Sequence, residues 1–135
     1  MQRPPIPPFT RESALAKVQA AEDAWNTRDP KTVAQAYTEN SELRRVLSRP
    51  HHDRAIPGPQ VVDGIALSLD ERALAFTGNR ISVRFEYEWQ HAKTGQWYRT
   101  HGNEHWEFDA SGYMSRCDMS ANDVSIAAND RRIER

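Results

Sequence analysis

The residues of this 135-residue chain that are best suited to proton-transfer chemistry fall in its second half. Arg84 and Glu86 are two apart on one run. Arg99, His101, Asn103, His105 and Glu107 alternate on the next. A carboxylate and an imidazole on adjacent strands can serve as general acid and base if burial tunes them, so Glu86 and His101 are the catalytic candidates. Arg84, Arg99 and Asn103 on the same faces are candidates for binding a ligand, with Trp25, Tyr37, Trp106 and Asn122. The same polar set also fits a solvated outer face tied by cross-strand ion pairs, and charged strand faces are usually exposed, which favours that second reading. The aromatic residues fit a core equally well. Asn122-Asp123 can cap a turn.

Other chemistries find little support. His101 and His105 point the same way on a strand but stand about 13 Å apart, too far to share one metal. His51-His52-Asp53 resembles a metal motif but lies in an irregular segment, so no metal site is assigned. Cys117, the sole cysteine, excludes an internal disulfide, suits a cytoplasmic setting and reads as a buried inert thiol. No glycine-rich phosphate loop or nucleophile elbow occurs. A net charge of −1 and the lack of a basic–aromatic stripe argue against nucleic acid. No run approaches the roughly 18 apolar residues of a membrane span. No cofactor is implied. The opening Met1-Gln-Arg-Pro-Pro-Ile-Pro-Pro lacks a signal peptide's apolar stretch and reads as an extended arm over residues 1–10, lying along the domain or a partner.

The elements that must position these residues follow from periodicity. Thr10 and Ser13 offer N-cap chemistry, and Ala14, Leu15, Val18, Ala21 and Trp25 recur at near-helical spacing, predicting a helix over 11–27. Asp29-Pro30 starts a second over 30–37. Then the period changes. Ile81, Val83, Phe85, Tyr87 and Trp89 alternate with Ser82, Arg84, Glu86 and Glu88, which predicts a half-buried strand. Lys93-Thr94-Gly95-Gln96 turns the chain, residues 97–108 return, Asp109–Gly112 turns again, and a third strand runs from Tyr113 to Ser120, closed by Asn122-Asp123. Helices followed by an antiparallel meander imply one α+β domain over 1–135 with the helices on one face of a curved sheet. The pattern leaves open which face of the return strand points inward.

These flanking stretches resemble the nuclear transport factor 2-like superfamily, and within it a small uncharacterised SnoaL-like branch. The resemblance is carried by Arg3–Thr10, Ala21-Glu-Asp-Ala-Trp-Asn26, Arg28-Asp-Pro30, Ala36-Tyr-Thr38, Ala75–Arg80, Val83–Phe85, Tyr87–Trp89, Gly102-Asn-Glu104, Trp106–Asp109, Ser120 and Asn122-Asp123. It implies N-terminal helices packed on a curved antiparallel, cone-like sheet with a pocket between the layers. It also implies a cofactor-free isomerase, hydratase or cyclase acting on a small hydrophobic molecule, or a non-catalytic binding or dimerisation module with a homodimer formed through the sheet. Fold cannot choose between them.

Residues 42–74 depart from the pattern. Pro50, Pro57 and Pro59 exclude the third helix the family places there, so that helix is lost or disordered. Read one nucleotide on, the codons from Arg45 to Asp70 can restore the missing Phe-Leu, Arg-Lys-Trp and Tyr-Arg-Leu groups in register. A pair of compensating frameshifts explains this, against ordinary loop divergence, and the nucleotide sequence over codons 42–75 decides between them. A damaged copy without function is then a third reading.

Overall fold

The computed structural model describes residues 1–48 and 68–133. Two helices, α1 (Arg11–Asn26) and α2 (Pro30–Ala34), precede five strands: β1 (Tyr37–Ser48), β2 (Ser68–Thr77), β3 (Arg80–Gln90), β4 (Trp97–Phe108) and β5 (Met114–Ile126). A short 3-10 turn, Ala128–Asp130, follows. The strand order is β1-β5-β4-β3-β2, with β1 parallel to β5 and the other neighbours antiparallel. The fold is thus the expected α+β arrangement of helices on an open, curved sheet. The sheet is mixed rather than wholly antiparallel, because β1 adds a parallel edge.

The caps form as the sequence suggests. Thr10 Oγ1 accepts from the Ser13 amide at 3.1 Å, and Ser13 Oγ accepts from the Thr10 amide at 2.8 Å. Asp29 Oδ1 accepts from the Lys31 amide at 3.1 Å ahead of Pro30. This second helix is shorter than the spacing predicts. Tyr37 begins a strand because the Met114 amide donates to the Ala36 carbonyl at 2.7 Å and draws the chain into the sheet. Residues 42–48 and 68–73, both in the irregular segment, pair into the sheet as parts of β1 and β2. Pro50, Pro57, Pro59, His51-His52-Asp53 and the place of the third helix lie outside the described residues. β5 also runs past Asn122-Asp123 to Ile126, because β4 continues to pair with it there.

α1 buries Ala14, Lys17, Val18 and Glu22, while Leu15 is 49% exposed. Two charged residues thus occupy the helix face that the apolar pattern assigned to hydrophobic ones. Lys17 is tolerated because its Nζ donates to the carbonyls of Arg3, at 2.9 Å, and Gly112, at 2.7 Å. Burial, helped by the nearby charge of Arg3 and opposed by Asp109, lowers its pKa to about 8. The Arg3 amide also donates to the Ser111 carbonyl at 2.7 Å, so the N-terminal arm lies along the domain. Phe9 then meets Phe108 edge-on at 5.2 Å.

Ile81, Val83, Phe85, Tyr87 and Trp89 all face the core. On β4 the inward set is Tyr98, Thr100, Gly102, Glu104, Trp106 and Phe108, since these lie opposite the inward β3 residues: Tyr98 faces Trp89, Gly102 faces Phe85 and Trp106 faces Ile81. Among the described residues the core has two clusters. One gathers Phe9, Ala14, Val18, Ile81, Val83, Trp106, Phe108, Met114 and Cys117. The other holds Phe85, Tyr87, Trp89, Tyr98, Met119 and Ala121, with Trp25 against it.

Candidate functional site

A cavity of about 480 Å³ opens between the inner sheet face, α2 and the start of β1. Trp25, Val33, Tyr37, Phe85, Cys117 and Met119 supply apolar walls, and Glu71 and Glu104 supply carboxylates. Arg44 and Glu39 are exposed lining residues at its edge. Among the described residues no helix is long and apolar enough to cross a membrane, and no cluster of three ligand side chains suits a metal ion.

The carboxylates come from three elements. Glu22 on α1 accepts the Glu71 backbone N–H through Oε2 at 2.8 Å, tying the helix to edge strand β2. Glu71 is only 8% exposed, and its Oε2 makes no hydrogen bond among the described residues. Glu104 Oε2 accepts from Trp106 Nε1 at 2.7 Å, which fixes the carboxylate's orientation. Burial pushes the Glu71 pKa well above the usual carboxylate range, and the negative charges of Glu104, Glu22 and Asp70 push it further. Glu71 therefore retains its proton under conditions where ordinary carboxylates have lost theirs.

That shift predicts a pH-dependent cost to stability. A pKa raised on folding gives a contribution that is complete below the unfolded value, about 4.3, and is lost as pH climbs through the folded value. Glu71→Gln keeps the shape and a donor but cannot ionise. It should raise the melting temperature by several degrees at pH 8, with the gain shrinking towards zero near pH 4. Thermal melts of both proteins across that range check this; a gain independent of pH would contradict it.

The residues singled out from the sequence divide between the two sheet faces. Trp25 and Tyr37 line the cavity. Trp106 is buried beside it in the core and holds Glu104. Glu86 and His101 are brought together, His101 Nδ1 standing 3.8 Å from Glu86 Oε1, but on the opposite face, where Arg132 also pairs with Glu86. Arg84, Asn103 and Asn122 are exposed on that outer face. Arg99 is there too, bound to Glu88 at 2.8 Å. His105 Nδ1 lies 3.0 Å from Ser82 Oγ.

Glu71, Glu104 and Glu22 were not anticipated as site residues. Glu104 did leave a signal: it is the one charged residue on the alternating set Tyr98, Thr100, Gly102, Trp106 and Phe108. Glu71 left none, because Ser68-Leu-Asp-Glu-Arg-Ala-Leu does not alternate cleanly. The inner face carries a second polar group as well. Thr100, fully buried, accepts from Trp89 Nε1 at 2.9 Å and donates to Asp123 Oδ1 at 2.6 Å. That chain satisfies its own members within the core.

The arrangement of helices on an open, curved mixed sheet, with a pocket between the layers, is shared with solved structures of nuclear transport factor 2-like proteins. The NTF2-like protein from Burkholderia thailandensis matches with a TM-score of 0.55 and 15% identity over 84% of this chain and 90% of that one. The epoxide hydrolase/cyclase-like enzyme SalBIII, described for pyran ring formation in the polyether salinomycin, matches at 0.58 and 9% identity, covering 91% and 97%. A ketosteroid isomerase-like protein from Erwinia carotovora atroseptica matches at 0.50 and 20% identity, covering 87% and 100%. Residues 7–134 match the family described as "Protein of unknown function (DUF1348)", and the chain belongs to that family. No curated protein matches it.

Proposed function

We propose that the chain is a cofactor-free acid–base enzyme that isomerises, hydrates or cyclises a small hydrophobic molecule in the Glu71–Glu104 cavity. The observation that carries this reading is a buried Glu71 whose proton is held by its surroundings, lining the same apolar cavity as a second carboxylate, Glu104. In a pair of acids a neutral one can donate to an oxygen while an ionised one removes a proton. In this scheme Glu104, held by Trp106, takes a proton from a carbon next to a carbonyl. The Glu71 hydroxyl hydrogen-bonds the oxygen that gains charge. Returning the proton to another carbon of the same molecule completes an isomerisation without any other reagent. Trp25, Tyr37 and Phe85 supply apolar surface for the substrate's body.

A β,γ-unsaturated cyclic ketone is a suitable probe, because its conversion to the conjugated ketone is followed by ultraviolet absorbance. Glu104→Gln should lower kcat/KM by about 10²- to 10⁴-fold, the usual worth of a positioned base. Activity unchanged in Glu104→Gln, or absent from the wild type while the ketone still binds, would overturn the catalytic reading. The second result would favour a binding module.

A further inference from the structure

The floor of the cavity is unusual in its sign. Glu71 and Glu104 line it, Glu22 and Asp70 act on Glu71 electrostatically, and Glu39 lies at the edge. Arg44 is the one cation among the described lining residues, and it is exposed. Glu71 Oε2 is buried without a hydrogen-bond partner among the described residues, and so is Thr38 Oγ1, which lines the same cavity. Both oxygens can accept hydrogen bonds. A buried acceptor left unmade is costly, and one surrounded by negative charge is relieved most by a donor that is itself positive.

We propose that this cavity also binds small apolar ammonium ions, with the ammonium group against Glu71 and Glu104 and the hydrocarbon body between Trp25 and Phe85. This goes beyond the acid–base reading but rests on it, since it takes the same cavity as the ligand site. An ammonium offers three donors to an acceptor-rich floor. The aromatic walls suit both the hydrocarbon and the cation's charge. A bare metal ion is a poorer fit, because the described residues provide no three-ligand cluster.

The charges around Glu71 also dictate what happens to its proton. Glu22 from α1, Glu104 from β4 and Asp70 from its own strand all disfavour its ionisation in the empty cavity. A bound ammonium reverses that balance, so Glu71 releases its proton as the ligand enters. Affinity should then increase with pH until the empty-cavity pKa of Glu71 is passed. An ammonium ligand would also remove the acid that carbonyl chemistry needs and compete with a ketone for the site.

Isothermal titration with 4-phenylbutylammonium and its neutral isostere 4-phenylbutan-1-ol tests this on the full chain. At neutral pH the ammonium should bind about 10- to 100-fold more tightly, the worth of one charge-assisted hydrogen bond. Its apparent enthalpy should vary with the ionisation enthalpy of the buffer, reporting proton release. Glu71→Gln should abolish that release and cut the preference to a few-fold. Equal affinity for the two probes, or ammonium binding without proton release, would overturn the inference. Either result leaves the acid–base reading to be judged by the ketone assay. The wild-type comparison alone decides the matter if Glu71→Gln does not fold.

Discussion

Glu88→Ala is expected to lower the unfolding free energy by about 3–5 kcal/mol, the usual consequence of removing one member of a buried ion pair. Glu88 belongs by alternation to the outer sheet face, yet it is 1% exposed. Its carboxylate accepts from Arg99 Nε at 3.0 Å and pairs with Arg99 Nη2 at 2.8 Å. It also accepts from the backbone amides of Arg132, at 3.2 Å, and Ile133, at 2.9 Å. Arg99 in turn donates to the Asp130 carbonyl at 2.7 Å, and Arg131 lies 4.0 Å over the Trp97 ring. The C-terminal segment is thus folded back over the sheet, and the Glu88 carboxylate gathers two of its backbone amides.

Without that carboxylate, Arg99 keeps a charge with little water around it, and two backbone amides lose their acceptor. Burial alone would raise the Glu88 pKa. The amides of Ile133 and Arg132 and the Arg99 guanidinium outweigh it and hold the pKa below the ordinary value. The stability that Glu88 contributes is therefore present above its unfolded pKa and lost as pH falls through the depressed folded one. Urea unfolding of the wild type, Glu88→Ala, Arg99→Ala and the double variant measures the coupling. A Glu88→Ala loss below about 1 kcal/mol, the scale of an exposed pair, would refute the anchoring role.

Gly102→Val is expected to cost about 3 kcal/mol and to close part of the cavity. Gly102 lies opposite Phe85 in the β3–β4 register. The Phe85 ring lies across it, so that a Cβ there would stand 2.8 Å from Cε1 and nearer still to Cε2 and Cζ. Such contact has no slack, because the ring also stacks on Tyr87 with centroids 5.8 Å apart. Overpacking of this kind costs about 1–3 kcal/mol, with larger side chains at the upper end. The displaced ring has the cavity beside it, since Phe85 is one of its walls. Denaturant unfolding and the affinity for 4-phenylbutan-1-ol should fall together. Full stability with unchanged binding would show that Phe85 can move without filling the cavity.

Much of the scaffold was legible because local chemistry and tertiary position agreed. The capping pair Thr10 and Ser13, the Asp29-Pro30 start and the alternation from Ile81 to Trp89 each specify a local conformation, and the core needed nothing different. The second helix ends earlier than its spacing suggests: Val33, Ala34 and Tyr37 fit a helical face, but the Met114 amide takes the Ala36 carbonyl for the sheet. β1 and β2 were hidden in the irregular stretch, where pairing partners rather than alternation establish the strands.

The site was harder to read for a related reason. A polar residue on a strand shows its chemistry but not which face is covered. Arg84, Glu86, Arg99 and His101 form a charged set that the sequence makes conspicuous, and the fold turns them away from the cavity. Glu104 was visible only as an exception among apolar neighbours, and Glu71 was not visible at all. The sequence by itself determined the helix starts, the hairpin turns, the apolar face of β3 and the absence of an internal disulfide, since each depends on a few neighbouring residues. Only the tertiary structure decided that Glu22, Glu71 and Glu104, from α1, β2 and β4, face one another beside Trp25 and Phe85. Their proximity, and the retained proton it imposes on Glu71, arise from long-range strand register and from burial, which no local spacing encodes.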